Sequence, residues 1–158
     1  MSIDELQEYG MVKMDEKEIE GFLSSQKTGV LGLPAEDGPY LLPISYGYDG
    51  HDRLYFTYLL GSNSRKQTLS EATDTARFLV YKVDTPYNWQ SVLLTGHLTA
   101  IPETEWDALN EIPHTAWRPA VFESATLSGD VKVYEFQTDE QTGIKHEGLP
   151  PALEPNEM

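Results

Sequence analysis

RLYFTYLLGSNSRKQ, from Arg53 to Gln67, opens as a β-strand and closes as the first turn of a helix. Arg53 to Leu60 is dense in aromatic and large apolar side chains, which suit a pleated and half-buried surface. Gly61, Ser62 and Asn63 then interrupt it with small polar residues, and Ser64 and Gln67 stand at capping-box spacing for a helix reaching about Ala72. Upstream, Tyr40 to Tyr48 is again rich in β-formers, and Asp49-Gly50 supplies a turn, so the two strands read as a hairpin. Pro43 lies inside the first of them and cannot donate to a ladder. It therefore marks an edge, a bulge or a place where the backbone is released from pairing and left open to a ligand.

Working outward, Asp15 and Glu18 have capping-box spacing ahead of Ile19, Phe22 and Leu23, which predicts an amphipathic helix from Asp15 to about Gln26. Thr28 to Leu33 is a strand, and Pro34, Asp37, Gly38 and Pro39 turn the chain. Ala76 to Val83 and Trp89 to Ile101 read as strands, the second interrupted by Gly96. Pro102 to about Glu111 reads as a helix, Ile112 to Asp130 as irregular chain, and Val131 to Phe136 as the last strand. About six strands joined mainly by hairpins predict a mainly β fold, an antiparallel barrel with short flanking helices. The connections are too short for the crossovers of a doubly wound parallel sheet. The expected organisation is an acidic leader over 1–14, one barrel domain over 15–138, and a polar, flexible tail over 139–158.

The 158 residues hold 26 acidic against 11 basic side chains, a formal net charge of -15, and no cysteine. Disulfides, thiolate metal sites and cysteine nucleophiles are excluded, and nucleic acid and anionic membranes are poor partners. No stretch approaches the roughly 20 apolar residues of a membrane span, so a cytoplasmic location is expected. The aromatic share of 11%, with nine tyrosines, argues for a packed core rather than acidic disorder. The acid must then coat a folded surface, as in a protein kept in solution at high salt.

Against that background the placement of cations is informative, and Arg65-Lys66 is the only adjacent basic pair in the chain. Backbone N–H groups at a helix start, the positive end of its dipole, an arginine fork and a lysine charge are the components of a phosphate site. On the residues alone a second reading stays open, in which the pair is neutralised by surface carboxylates.

The ordered set Leu54-Tyr-Phe-Thr-Tyr, Ser64-Arg-Lys, Leu69, Arg77-Phe-Leu-Val-Tyr, Trp89-Gln-Ser-Val and Gly96 resembles the pyridoxamine 5'-phosphate oxidase superfamily of FMN-binding split barrels. It is most similar to the short oxidase-related and nitroimidazole-resistance-like members. The resemblance implies a split β-barrel that binds FMN, with Arg65 and Lys66 on the phosphate, Ser64 at the same turn, and Phe56 and Thr57 beside the cofactor. It places Pro43 to Tyr46 along the isoalloxazine edge, with Ser45 as the side-chain candidate. A glutamine of the family reaches the flavin from the start of the long strand; residue identity favours Gln90 here, and counting back from Gly96 favours Ser91. It also implies a homodimer with FMN at the interface, for which Leu59, Leu60, Trp89 and Trp117 are candidates.

The resemblance has limits. Thr138 to Met158 lacks the arginine- and histidine-bearing end of the authentic oxidases, so vitamin B6 oxidation is not implied, and the expected activity is an FMN-dependent oxidoreductase of unassigned substrate. The rival readings are a deazaflavin-dependent reductase, a non-enzymatic flavin- or haem-binding module, and an empty barrel with an interaction role. The histidines His51, His97, His114 and His146 lack metal-pair spacing, with His97 the one to inspect for haem. Trp89, Trp106 and Trp117 read as core or interface residues, and Glu103 and Glu105 as helix-dipole partners.

The charge generates a test. A surface at -15 repels itself when counter-ions are scarce, so the melting temperature should rise from dilute buffer to molar KCl. A melting temperature indifferent to salt rejects the high-salt reading.

Overall fold

The computed structural model describes residues 3–59, 64–72, 75–111 and 131–148. The cap and turn signals fold as their chemistry dictates, but the hairpin expected between Tyr40 to Tyr48 and Arg53 to Leu60 does not form over its length. Tyr40–Ser45 pairs with Thr28–Leu33, Arg53–Leu59 pairs with residues 131–137, and only Gly47 and Tyr48 pair across the turn. Asp15 Oδ1 accepts the Glu18 N–H at 2.8 Å and the Glu18 carboxylate reaches back to the Asp15 N–H, so the capping box is complete. The helix it starts, α2 (Glu16–Ser25), buries Ile19, Phe22 and Leu23. Asp49 Oδ1 accepts from the His51 and Arg53 N–H groups, and Gly50 takes φ of 85°, a left-handed conformation that tightens the hairpin.

The elements in chain order are α1 (Ile3–Glu8), β1 (Met11–Lys13), α2, β2 (Thr28–Leu33), β3 (Tyr40–Ser45), β4 (Gly47–Tyr48), β5 (Arg53–Leu59) and α3 (Arg65–Ala72). Then come β6 (Thr75–Thr85), β7 (Asn88–Ile101), a 3₁₀ helix (Glu103–Glu111) and β8 (Val131–Glu147). One antiparallel, 8-stranded sheet has the order β3-β2-β6-β7-β8-β5-β4, with β1 paired to β8. It curls into a half-barrel, the mainly β split-barrel architecture expected. β3 lies at one end of the order, which answers why Pro43 is tolerated: opposite Val30 on one side, among the described residues it has no ladder to feed on the other.

Two boundaries differ from the sequence reading. The segment expected as a leader is part of the fold: β1 pairs Met11 with His146, and Met14 is buried and donates its N–H to the Gly143 carbonyl at 2.8 Å. The tail expected from residue 139 is instead strand as far as Glu147. Polar composition misled here, because this half of β8 is paired on one edge with β7 and, at its end, on the other with β1. The segment 112–130, the loop 60–63 and the chain tip 149–158 lie outside the described residues, as do Leu60, His114 and Trp117. Among the described residues no helix is long and apolar enough to cross a membrane.

The main core lies on the concave face. Phe56 and Phe78 meet at 4.9 Å between centroids, Tyr46 stands edge-on to Phe78 at 5.4 Å, and Phe136 lies 6.1 Å from Phe56. Burial of each such ring contributes roughly 1.5–3 kcal/mol. The Tyr46 hydroxyl donates to the Leu23 carbonyl at 2.6 Å and so fastens α2 to the sheet; burial pushes its pKa well above the ordinary tyrosine value. A smaller cluster of Tyr55, Val133 and Leu109, flanked by Ile101 and Trp106, sits on the opposite face beneath the 3₁₀ helix.

The bulge between Thr95 and Gly96 lets β7 bend across β8. A Cβ at Gly96 would collide with the Gln137 carbonyl oxygen and stand 2.9 Å from its carbon, whereas one at Gly21 on α2 meets nothing within 4 Å. Gly96→Ala should therefore lower stability by about 2 kcal/mol or more, and Gly21→Ala should raise it by up to about 1 kcal/mol. Denaturant melts of the two variants check this contrast, and equal effects would show that the bulge is not the constraint described.

Candidate functional site

Strand alternation separates Phe56 from Thr57. Phe56 and Tyr58 point into the core with no exposed surface, while Thr57 shares the opposite face with Tyr55. The Phe56 side chain is thus a core residue packed between Phe78 and Phe136. Thr57 is different. Its Oγ1 is buried and, among the described residues, has no hydrogen-bond partner, a cost of roughly 1–3 kcal/mol unless something else supplies one.

The start of α3 follows the sequence in part. Ser64 Oγ accepts the Gln67 N–H at 3.3 Å, but the Gln67 side chain turns forward to Glu71 at 3.1 Å, so the capping box is half made. Arg65 and Lys66 then diverge. The Arg65 guanidinium lies 5.1 Å over the Tyr40 ring and pairs with Asp37 Oδ1 at 2.7 Å, so for this cation the surface-carboxylate reading holds as well. Lys66 lies half-buried over the Tyr58 ring at 5.5 Å and makes no ion pair among the described residues. Burial pushes its ammonium below the ordinary lysine pKa. The Tyr58 hydroxyl meets Ser70 Oγ at 2.9 Å, and burial raises its pKa to about 12. Tyr134, whose ring is 4.5 Å from that of Tyr58, has a buried hydroxyl without a partner among the described residues. Among the described residues, a cation without an ion pair and the orphan Tyr134 hydroxyl at one corner of the barrel suit an anionic, hydrogen-bonding ligand.

Around this corner the surface is concave. A cleft of about 740 Å³ is lined by Pro34, Asp37, Arg65 and Leu69. Beside it, sharing Pro34 and Ala35, a groove of about 620 Å³ is lined by Val30, Leu41, Leu79 and Leu93. Both volumes suit a small-molecule site, one wall charged and the next apolar. Ser45 is exposed at the end of edge strand β3, opposite Thr28.

Gln90 and Ser91 are not brought to this corner. Thr57 is level with Val133 and, one ladder on, with Ile101, whereas Ser91 pairs with Ile144, ten residues back along β7. That is on the order of 30 Å along the strand. The two also face opposite ways: Ser91 shares its face with exposed Leu93, and Gln90 shares that of buried Val92. Trp89 stacks on His146, Trp106 Nε1 donates to the Ile101 carbonyl at 3.0 Å, and His97 pairs with Asp139 at 2.8 Å. No group of three metal-binding side chains is found among the described residues.

Tyr40, Tyr58, Ser70, Tyr134 and Asp37 were not anticipated as neighbours of the basic pair. The period-2 pattern could have placed Tyr58 with Phe56, but only the fold lays α3 across β5.

The sequence profile of a family described as Pyridoxamine 5'-phosphate oxidase matches residues 15–145. No curated protein matches the chain by sequence. Among solved structures, an FAD-binding protein from Mesorhizobium loti superimposes with a TM-score of 0.67 at 16% identity, covering 87% of this chain and 97% of that one. A candidate 5-nitroimidazole antibiotic resistance protein from Bacteroides thetaiotaomicron gives 0.64 at 22% identity, covering 85% and 87%. An FAD and haem binding protein from Mycobacterium smegmatis gives 0.65 at 14% identity, covering 89% and 75%. At these identities the likeness is one of fold.

Thr57→Val tests the orphan hydroxyl. Removing a buried, unpaired oxygen should leave the ligand-free protein as stable or up to about 1 kcal/mol more stable. A clear destabilisation in denaturant melts would show that the hydroxyl already has a partner.

Proposed function

The chain belongs to the pyridoxamine 5'-phosphate oxidase family, and we propose that it binds FMN at the interface of a homodimer and acts as a flavin-dependent oxidoreductase. The observation that carries this reading is Lys66, a half-buried cation that among the described residues has no carboxylate partner, beside a helix start in a chain of net charge -15. Such a cation is costly to keep partly desolvated unless an anion comes to it. Arg65 supplies the second charge. Its pair with Asp37 is exposed on both sides, and such pairs contribute at most about 1 kcal/mol. A phosphate dianion offers charge-assisted contacts of roughly 1.5–3 kcal/mol each, so it displaces the carboxylate.

The flavin ring would supply hydride or electron transfer, and the chain supplies binding, orientation and exclusion of water. The Thr57 hydroxyl and the free edge of β3 at Pro43 to Ser45 offer hydrogen bonds, and the apolar groove beside Arg65 offers cover for a flat ring. A homodimer supplies what one protomer lacks. Leu41, Tyr81, Val83 and Leu93 are 64%, 53%, 59% and 37% exposed on one face of the sheet, a patch that a second copy would bury. Ser91 opens onto that face, so it would approach the neighbour's cofactor across the twofold, and Gln90 would have to do so from the strand's other face. The patch replaces the interface residues inferred from sequence: the Leu59 side chain, Leu60 and Trp117 lie outside the described residues, and Trp89 packs on His146. Solved neighbours that bind FAD or haem make these the comparison ligands.

Fluorescence titration with FMN, FAD and haem, with mass followed by light scattering across dilution, tests the reading. The wild type should bind FMN as a dimer. Arg65→Ala with Lys66→Ala should stay folded and dimeric but lose about 100-fold or more in FMN affinity. Undiminished affinity in the double variant refutes the grip, and a monomer that holds FMN equally well refutes the second wall.

A further inference from the structure

We propose that His146 is held as an imidazolium and acts as a proton-dependent clasp that straps the α1–β1 segment to the β6–β7 hairpin. Its ring is 5% exposed, with Nδ1 2.7 Å from the Tyr87 carbonyl oxygen and Nε2 2.8 Å from the Tyr9 carbonyl oxygen. A carbonyl oxygen has no proton to give, so each contact needs a donor from the ring. Neutral imidazole has one such donor and imidazolium has two. In the neutral form one nitrogen lone pair would face an oxygen lone pair in a nearly dry site, at the cost of an unmade buried hydrogen bond.

The surroundings suit the cation. Trp89 stacks on the ring with centroids 5.9 Å apart and planes 24° apart, and Tyr87 lies 6.0 Å away. Aromatic faces attract a cation held over them. Among the described residues no carboxylate is within ion-pairing reach of the ring, so two carbonyl dipoles hold the charge. The titratable groups on the surrounding elements are Glu8 and Tyr9 beside the α1–β1 turn, Lys13 on β1, Asp84 and Tyr87 on the hairpin, and Lys145 and Glu147 on β8. Lys145 is committed to Glu18 of α2 and to Glu147.

The clasp joins three segments distant in sequence. β1 is three residues long and lies along Ile144 to His146, on the edge of β8 that β5 covers farther down. A strand so short is weakly held by its own ladder, and its release would leave the end of β8 as an open edge. The protonated ring bonds the Tyr9 turn and the hairpin together; the neutral ring can bond only one. The strap is therefore tightest when the ring carries both protons and looser when it carries one. The inference is independent of any cofactor.

NMR of the full-length ¹⁵N-labelled chain tests it. At pH 6 long-range correlations should show protons on both His146 ring nitrogens. On raising the pH to 9, the amides of Met11 to Lys13 and of Tyr87 and Asn88 should shift with the ring's own midpoint. Exchange at the β1 amides should then exceed the base-catalysed trend of exposed amides by about tenfold. In His146→Gln, β1 should be loosened already at pH 6 and its pH dependence lost. A neutral ring at pH 6 with β1 in place overturns the proposal. So does a ring that titrates while β1 stays unchanged, or a variant that keeps the wild-type pH response. The wild-type titration decides the matter even if the variant does not fold.

Discussion

The long antiparallel pairing of β7 with β8 is the constraint from which the other parts take their places. β8 has 17 residues, and its second edge is shared between β5 near Val131 and β1 near His146. A strand has only two edges, so this sharing brings the start of the chain, its middle and its end into one sheet. The bulge at Thr95 and Gly96 sits between the two halves of the ladder and adds local coiling. It lets one face enclose the ring cluster of Phe56, Phe78 and Phe136, while the other, near Ile101, is capped by the 3₁₀ helix through Trp106 and Leu109.

The same sheet sets the chemistry of the barrel corner. Because β3 ends the strand order and α3 crosses next to β2, Tyr40 and Tyr58 each present a ring to one member of the basic pair. The two cations consequently differ. Arg65 is solvated and shares its charge with Asp37, while Lys66 is drawn against an aromatic face and partly desolvated. In a chain with so few cations, a lysine without a carboxylate among the described residues is the feature most in need of an anion. Concavity, the orphan Tyr134 hydroxyl beside Tyr58 and an adjoining apolar groove point to a ligand with an anionic end and a flat apolar one.

Local chemistry was legible wherever a few neighbouring residues decide the conformation. The Asp15 capping box, the Asp49-Gly50 turn, the apolar alternation from Arg53 to Leu59 and the edge assignment from Pro43 all act over less than one element. The ordered motifs from Leu54 to Gly96 carried the family, and with it the split barrel. Polarity was a poor guide for residues 139–147, because a strand can be polar on both faces if its edges are paired.

By itself, therefore, the sequence determined the element types, the mainly β class, the absence of cysteine chemistry and the single basic pair on which the candidate site is built. Only the tertiary structure decided that residues 11–13 and 139–147 belong to the sheet. It alone set Thr57 outward and Phe56 inward, separated Gln90 and Ser91 from Arg65 within one chain, and enclosed His146 between two carbonyls. The physical reason is range: caps, turns and alternation are settled by neighbours a few residues apart. Edge sharing, face and burial depend on which distant strand arrives alongside, and that is fixed by the free energy of the whole sheet.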